Sequence, residues 1–233
     1  MKKILGVAVA AVLLAGLWAC ASEEPPEIPP ETTTAQTTTT QYTTLDRLAT
    51  WLEERGTITE RVHESMTEFT FAMQGASIYD EFLLYVEAIE ITGEGFYQRL
   101  EGIGRVHHMT GSLFLTDYNN DGFLDLRLFL FPGGTGMQSP SIYWFWDNDV
   151  QQFVLHEQLT ELSSDHGIRL EEDGRVSAFS RGGGRMYSAS YFSYINGQFV
   201  EENRRVVDGW TITYYERING EMVLVRTEVE EIQ

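Results

Sequence analysis

Residues 117–125, with the sequence DYNNDGFLD, place acidic or amide side chains at positions one, three, five and nine of a loop. Gly122, at position six, permits the sharp turn that would bring alternate side chains to one side. Calcium in proteins binds about six to eight oxygen atoms from carboxylates, amides and backbone carbonyls. The spacing therefore predicts a structural Ca²⁺ ion held by Asp117, Asn119, Asp121 and Asp125 and by the carbonyl oxygen of Phe123.

The predicted metal loop differs from an EF-hand in two ways. An EF-hand has a glutamate at position 12 and a helix after the loop. Here Leu128 occupies position 12, and the apolar run LDLRLFLF that follows is typical of a strand. The loop is thus predicted to join two strands. A turn without a metal is the alternative, because Asn and Asp favour turns in any case.

No residue pattern in the sequence predicts a catalytic site. The five histidines show no metal-binding spacing, and no G-x-S-x-G sequence marks a nucleophilic serine. Carboxylate pairs of the glycosidase type are too easily found among 35 acidic residues to indicate an activity. A carboxylate-based glycoside hydrolase therefore stays open as an alternative function.

The N-terminus predicts an extracytoplasmic, lipid-anchored protein, either periplasmic or on the cell surface. Residues 1–19 are predicted to be a signal peptide, with two lysines, an apolar segment and the sequence LWA before Cys20. Lipidation of Cys20 would attach the chain to a bacterial membrane. Residues 20–44, rich in Pro and Thr, are predicted to be an extended tether. Because Cys20 is the only cysteine, no disulfide can form within the chain.

The composition disfavours a nucleic acid and is compatible with a cationic partner, although solubility alone is an equally good explanation of the charge. The formal net charge is −19 at pH 7, and a strongly acidic surface repels phosphate backbones. A protein partner of opposite charge would be attracted to the same surface. The 12% aromatic content and the 42% apolar content suit a domain with a substantial core.

The order of elements predicts a mainly β fold after a helical start. Residues 45–66 are predicted to form a helical segment in two parts, LDRLATWLEERG and TITERVHESM. Residues 67–233 are predicted to form a β-rich, calcium-binding domain with repeated hairpins, two of them turning at Asn196-Gly197 and Asn219-Gly220. The fold class is an antiparallel meander, a propeller-like array or a partial barrel, and a β-sandwich is the alternative.

Two stretches outside the metal loop are candidates for contact with a protein partner. Arg181 and Arg185 flank three glycines between two predicted strands, where exposed arginines could form a recognition tip. Tyr143 and Trp144 follow a Gly/Pro loop in the sequence YWFW, whose side chains should alternate between a buried and an exposed face.

Several stretches between Phe96 and Val207, in order, resemble a known family. They are FYQRLEG, LTDYNNDGFLDLRLFL, a Gly-rich loop, YWFWDNDVQQFVLHEQLTEL and SAFSRGGGRMYSASYFSYINGQFV. The resemblance is to bacterial periplasmic lipoproteins with a propeller-like lysozyme-inhibitor fold, which include immunity proteins against peptidoglycan-cleaving effectors. It implies Ca²⁺ at the 117–125 loop and a role in inhibition or recognition. The tether and the helical segment are not part of the pattern, and no inhibitory loop can be matched residue by residue.

The residues predict a calcium-stabilised envelope lipoprotein that binds a protein partner. The resemblance implies that this partner is a cationic peptidoglycan hydrolase, with its inhibition as a further expectation. The alternatives are the glycoside hydrolase and a structural surface module without inhibitory activity.

Overall fold

The computed structural model describes residues 44–80, 82–107, 111–132 and 138–230. Within these ranges the predicted mainly β fold is confirmed, since most described residues lie in three antiparallel sheets and only two helices are present. All three sheets are open, because no strand pairing among the described residues closes one into a ring. The predicted signal peptide and Cys20 lie outside the described residues, as does the tether up to residue 43.

The helical start is only half as long as the sequence predicts. Helix α1 spans Thr44–Arg55 and ends at Gly56, where an added Cβ would lie 2.7 Å from the carbonyl oxygen of Leu52. The second predicted helix is wrong, because Thr57–Arg61 forms strand β1 instead. β1 pairs with β2 (Glu68–Gln74), and the β-branched residues Thr57, Ile58 and Thr59 suit this extended conformation.

Sheet A contains β1 and β2 together with β3 (Ser77–Ile78), β4 (Leu83–Gly93) and β5 (Phe96–His107). The long β4–β5 hairpin turns at residues 94 and 95. Inward-facing residues of β2 and β4 alternate with exposed ones, as expected for a sheet with one buried face. No described helix is long and apolar enough to cross a membrane.

Sheet B contains β6 (Ser112–Thr116), β7 (Asp125–Phe129), β8 (Ser141–Asp147) and β9 (Gln152–Leu155). Strand β8 is buried on both faces. Trp144 and Trp146 pack into the first hydrophobic core, against sheet A, while Tyr143 and Phe145 pack into the second core, against helix α2 (Glu157–Asp165) and sheet C. The prediction that half of the YWFW side chains are exposed is therefore wrong.

Helix α2, which the sequence analysis did not predict, completes the edge of sheet B. Strand β9 covers only the second half of β8. Along the first half, the backbone N–H of Ser141 donates to Ser163 Oγ (3.0 Å), and that of Tyr143 donates to Thr160 Oγ1 (3.0 Å). Buried backbone groups require such partners, so side chains of α2 take the place of a fifth strand.

Sheet C is a six-stranded meander that follows α2 directly. Its strands are β10 (Gly167–Leu170), β11 (Val176–Gly183), β12 (Met186–Ile195), β13 (Gln198–Asp208), β14 (Thr211–Ile218) and β15 (Glu221–Val229). The two predicted Asn-Gly turns are confirmed. Asn196 and Gly197 have φ values of 50° and 83°, and Asn219 and Gly220 have 53° and 90°, which a type I′ turn requires.

Candidate functional site

The loop between β6 and β7 is curled by hydrogen bonds from its own backbone to its acidic side chains. The two carboxylate oxygens of Asp117 accept from the N–H groups of Asp121 (3.2 Å) and Gly122 (2.9 Å). Gly122 has a φ of 91°, so the sharp turn predicted at this position is present. The N–H of Leu124 donates to the carbonyl oxygen of Val62 (2.8 Å), which ties the loop to the end of sheet A.

Asp125, the first residue of β7, is the buried anchor of this loop. Its side chain is fully buried, and its two oxygens accept hydrogen bonds from the N–H groups of Tyr118 (2.9 Å) and Trp146 (3.1 Å). Burial raises the pKa of Asp125 to about 8, although the two N–H donors act in the opposite direction. The nearby charges of Asp121 and Asp117 raise this pKa further.

The loop offers calcium the right kinds of donor atom, but its acidic side chains do not converge on one point. Among the described residues, no three His, Cys, Asp or Glu side chains are close enough together to hold a metal ion. Asp121 Oδ1 accepts from the N–H of Phe123 (2.8 Å), and its Oδ2 accepts from the amide of Asn119 (2.9 Å). Calcium binding by this loop therefore stays a prediction.

The same loop forms one wall of an open groove of about 440 Å³, which we call the acidic groove. The turn between β8 and β9 forms a second wall of the groove, and residues of the β12–β13 hairpin form part of a third wall. No described arginine or lysine lines it. The residues that give the groove its chemical character are Asp121, Asp147, Asp149, Val154, Leu155 and Tyr194.

The acidic groove combines negative charge with exposed apolar surface. Val154 and Leu155 are each 46% exposed, although they lie in a strand. Tyr194 lines the groove together with Asn119 and Asp121 of the acidic loop. Burial raises the pKa of Tyr194, and the charges of Asp125 and Asp121 raise it further. Carboxylates beside apolar and aromatic groups suit a basic side chain with a long aliphatic stem, such as lysine or arginine.

His156 lines the groove and caps the N-terminus of α2. Its Nδ1 accepts a hydrogen bond from the N–H of Leu159 (3.2 Å), and its ring packs on Phe145 with centroids 4.2 Å apart. Burial lowers the pKa of His156. The neutral imidazole therefore serves as the helix cap.

The residues predicted to contact a partner lie in different places. Arg181 and Arg185 are exposed at the β11–β12 hairpin. Arg185 is stacked on Trp210, 3.8 Å from the ring centroid, and forms an ion pair with Glu230. Tyr143 and Trp144 are at most 5% exposed, so their assignment to a recognition surface is wrong.

Several groove residues were missed by the sequence analysis. Asp147 and Asp149 lie in the sequence DND, which by itself predicts only a turn. Tyr194 lies 69 residues after Asp125 in the chain, and no local pattern connects the two. An available signal was the charge distribution, since residues 44–166 contain 20 acidic residues and only six arginines.

The fold and the groove define an antiparallel β-sheet protein with an open acidic groove on its surface. No family model matches the sequence, and no curated protein is similar enough to count as a relative. A solved structure described as that of a Xanthomonas type IV secretion system related protein is similar, with a TM-score of 0.58 and 16% identity. The similarity covers 75% of this chain and 95% of that one, and at this identity it shows a common fold alone.

Proposed function

We propose that this chain is a bacterial envelope lipoprotein that binds a cationic peptidoglycan-cleaving hydrolase and inhibits it. The acidic groove is the proposed contact, and it is the observation that carries the proposal. A basic residue of the hydrolase would enter the groove between Asp147, Asp149 and Asp121, with its aliphatic stem against Val154 and Leu155. Such an insertion would hold the hydrolase at its surface and obstruct access to peptidoglycan.

The charge distribution supports a cationic partner. Acidic residues outnumber arginines by 20 to six in residues 44–166, which include sheets A and B. Complementary charge speeds association and selects among partners more than it adds affinity. A protein described as type IV secretion system related has the same fold, which is compatible with a role at the envelope. Lipidation at Cys20 would place the domain there.

Calcium at the 117–125 loop is the second part of the proposal. The ion would be held by Asp117, Asn119, Asp121, Asp125 and the Phe123 carbonyl, and it would stabilise the wall of the groove. Added Ca²⁺ should raise the melting temperature of the chain, and EDTA should lower it again. Asp121→Ala should remove this response, while Asp149→Ala, in the neighbouring wall, should keep it. An identical response in wild type and Asp121→Ala would show that these ligands are wrong.

Inhibition is tested by the clearing of a peptidoglycan suspension, followed by turbidity. The hydrolases are a panel of cationic enzymes, including any that is encoded beside the gene for this chain. We expect the chain to slow clearing by at least one of them. The double variant Asp147→Asn and Asp149→Asn should weaken binding about tenfold, mainly through slower association. Asparagine at 147 keeps the Oδ1 that accepts from the N–H groups of Asp149 and Val150.

A matched control neutralises two carboxylates away from the groove. Glu53→Gln with Glu54→Gln, on exposed positions of α1, changes the net charge by the same amount and should leave inhibition unchanged. Equal loss of inhibition in both double variants would show that net charge, not the groove, makes the contact. Clearing of peptidoglycan by the chain alone would instead favour a glycoside hydrolase.

A further inference from the structure

Strand β15 is an open edge of sheet C. It pairs with β14 on one side, and no described strand lies on its other side. Every residue of β15 except Met222 is exposed. Natural sheets usually protect such an edge with proline, charged side chains such as lysine, a bulge or a covering segment. β15 contains neither proline nor lysine, and its protection is limited to three charged residues and one bulge.

The edge also exposes a group of apolar side chains. Val223, Leu224, Val225 and Val229 are 39%, 52%, 42% and 68% exposed. These residues cannot all belong to one buried face, because neighbouring residues of a strand point to opposite sides. Apolar side chains on both faces, next to unpaired backbone groups, are typical of a strand that pairs with another chain.

We propose that β15 is a dimerisation strand, which pairs antiparallel with β15 of a second copy about a two-fold axis at Val223. This register places Met222 beside Leu224 of the second copy on one face of the joined sheet. The pairing of β15 with β14 is interrupted by a bulge at Val225, since Tyr214 pairs with Arg226 and Tyr215 with Leu224. The bulge returns Arg226 to the face that carries Glu221 and Val223.

Charge complementarity supports a second copy as the occupant of this edge. With Val223 at the axis and Val225 bulged, Glu221 of each copy lies opposite Arg226 of the other, so two ion pairs form by symmetry. Within its own copy the guanidinium of Arg226 lies 3.9 Å from the ring centroid of Tyr214 and pairs with Glu228 at 3.2 Å, so Glu221 of the second copy would join an existing ion pair. Antiparallel neighbours of opposite charge stabilise a sheet, whereas like charges destabilise it. None of the residues involved lines the acidic groove, so the dimer does not depend on the proposed function.

The test is sedimentation equilibrium of the full chain in detergent, over about a hundredfold range of concentration. We expect a monomer–dimer equilibrium for the wild type. Glu221→Arg and Arg226→Glu should each raise the dimer dissociation constant about tenfold or more, because each places like charges together twice. The double variant Glu221→Arg with Arg226→Glu should restore the wild-type constant. Restoration also shows that neither single variant acts by unfolding the chain.

Three results would overturn the inference. One is a chain that stays monomeric over the whole range. Another is an association that none of the charge variants alters, as expected if the N-terminal segment or its lipid causes it. The third is a dimer that is weakened by Glu228→Arg but not by Glu221→Arg. Glu228 pairs with Arg226 of its own strand at 3.2 Å and has no partner across the proposed axis.

Discussion

Replacing Asp125 by alanine should destabilise the domain strongly, even with no calcium present. The carboxyl group is fully buried and accepts hydrogen bonds from the N–H groups of Tyr118 (2.9 Å) and Trp146 (3.1 Å). Alanine removes both acceptors and leaves two backbone donors without partners. A buried donor without a partner costs about 1–3 kcal/mol. The expected loss is therefore about 2–6 kcal/mol in the free energy of unfolding.

Urea denaturation in EDTA measures this loss. For a slope of about 2 kcal/mol per molar urea, the midpoint of Asp125→Ala should fall by about 1–3 M. The urea midpoint of Asp125→Asn should lie between those of Asp125→Ala and the wild type. The amide oxygen of asparagine can accept one of the two hydrogen bonds, but its NH₂ group cannot accept the other. The order of stability is then wild type, asparagine, alanine.

Asp121→Ala is the matched control within the same loop. Its carboxylate is exposed, so the N–H groups that it releases can bond to water, and the expected loss in EDTA is below about 1 kcal/mol. The reasoning is refuted if Asp125→Ala unfolds at the same urea concentration as this control. It is also refuted if Asp125→Asn is as stable as the wild type, because the two backbone donors would then not require the carboxylate.

Three further substitutions test other parts of the fold. His156 has a pKa lowered by burial, so the unfolded chain binds a proton at this residue more readily, and the contribution of His156 to stability should fall as the pH drops below about 6.5. Asp125, whose pKa is raised, contributes with the opposite sign. His156→Asn keeps a capping side chain and should raise the urea midpoint at pH 5.5 relative to that at pH 7.5, compared with the wild type; an unchanged dependence would contradict this origin. Gly197→Ala, at a φ of 83° with open space around the new Cβ, should cost about 1–2 kcal/mol from the backbone alone, whereas Gln198→Ala should leave the melting temperature nearly unchanged. Leu159→Ala should cost about 2–5 kcal/mol, because this α2 residue is fully buried in the second core; exposed Ser164→Ala is the control, and equal midpoints would show that α2 contributes little to that core.

The hairpins could be predicted from the sequence because short-range chemistry determines them. Asn196-Gly197 and Asn219-Gly220 require positive φ at both positions, and few residue pairs other than Asn-Gly tolerate it. The sharp turn at Gly122 was predictable for the same reason. In each of these cases the residues that decide the conformation are neighbours in the chain.

Strand β1 and helix α2 could not be predicted, because distant residues decide both. The sequence TITERVHESM has helical spacing, but pairing with β2 holds its first five residues extended. Helix α2 is held by β8, because backbone N–H groups of β8 that no strand pairs with donate to the side chains of Thr160 and Ser163. A local pattern contains no information about such partners.

The metal loop could be predicted from neighbouring residues, whereas the groove beside it depends on residues that are distant in the chain. The spacing of Asp117, Asn119 and Asp121 is visible in nine residues. The groove also needs Asp147 and Tyr194, which the β8–β9 turn and strand β12 bring to the loop. Tyr143 and Trp144 were assigned to a surface because alternation along a strand predicts one buried and one exposed face. The pattern does not show that other elements cover both faces of β8.

The burial of β8 on both faces has a consequence for how the domain opens. Its tryptophans belong to one core, and Tyr143 and Phe145 belong to the other. Neither core can be exposed to water without disturbing the strand that the other core requires. We therefore expect the two cores to unfold as one cooperative unit, and the amide protons of β8 to exchange with solvent among the slowest in the domain.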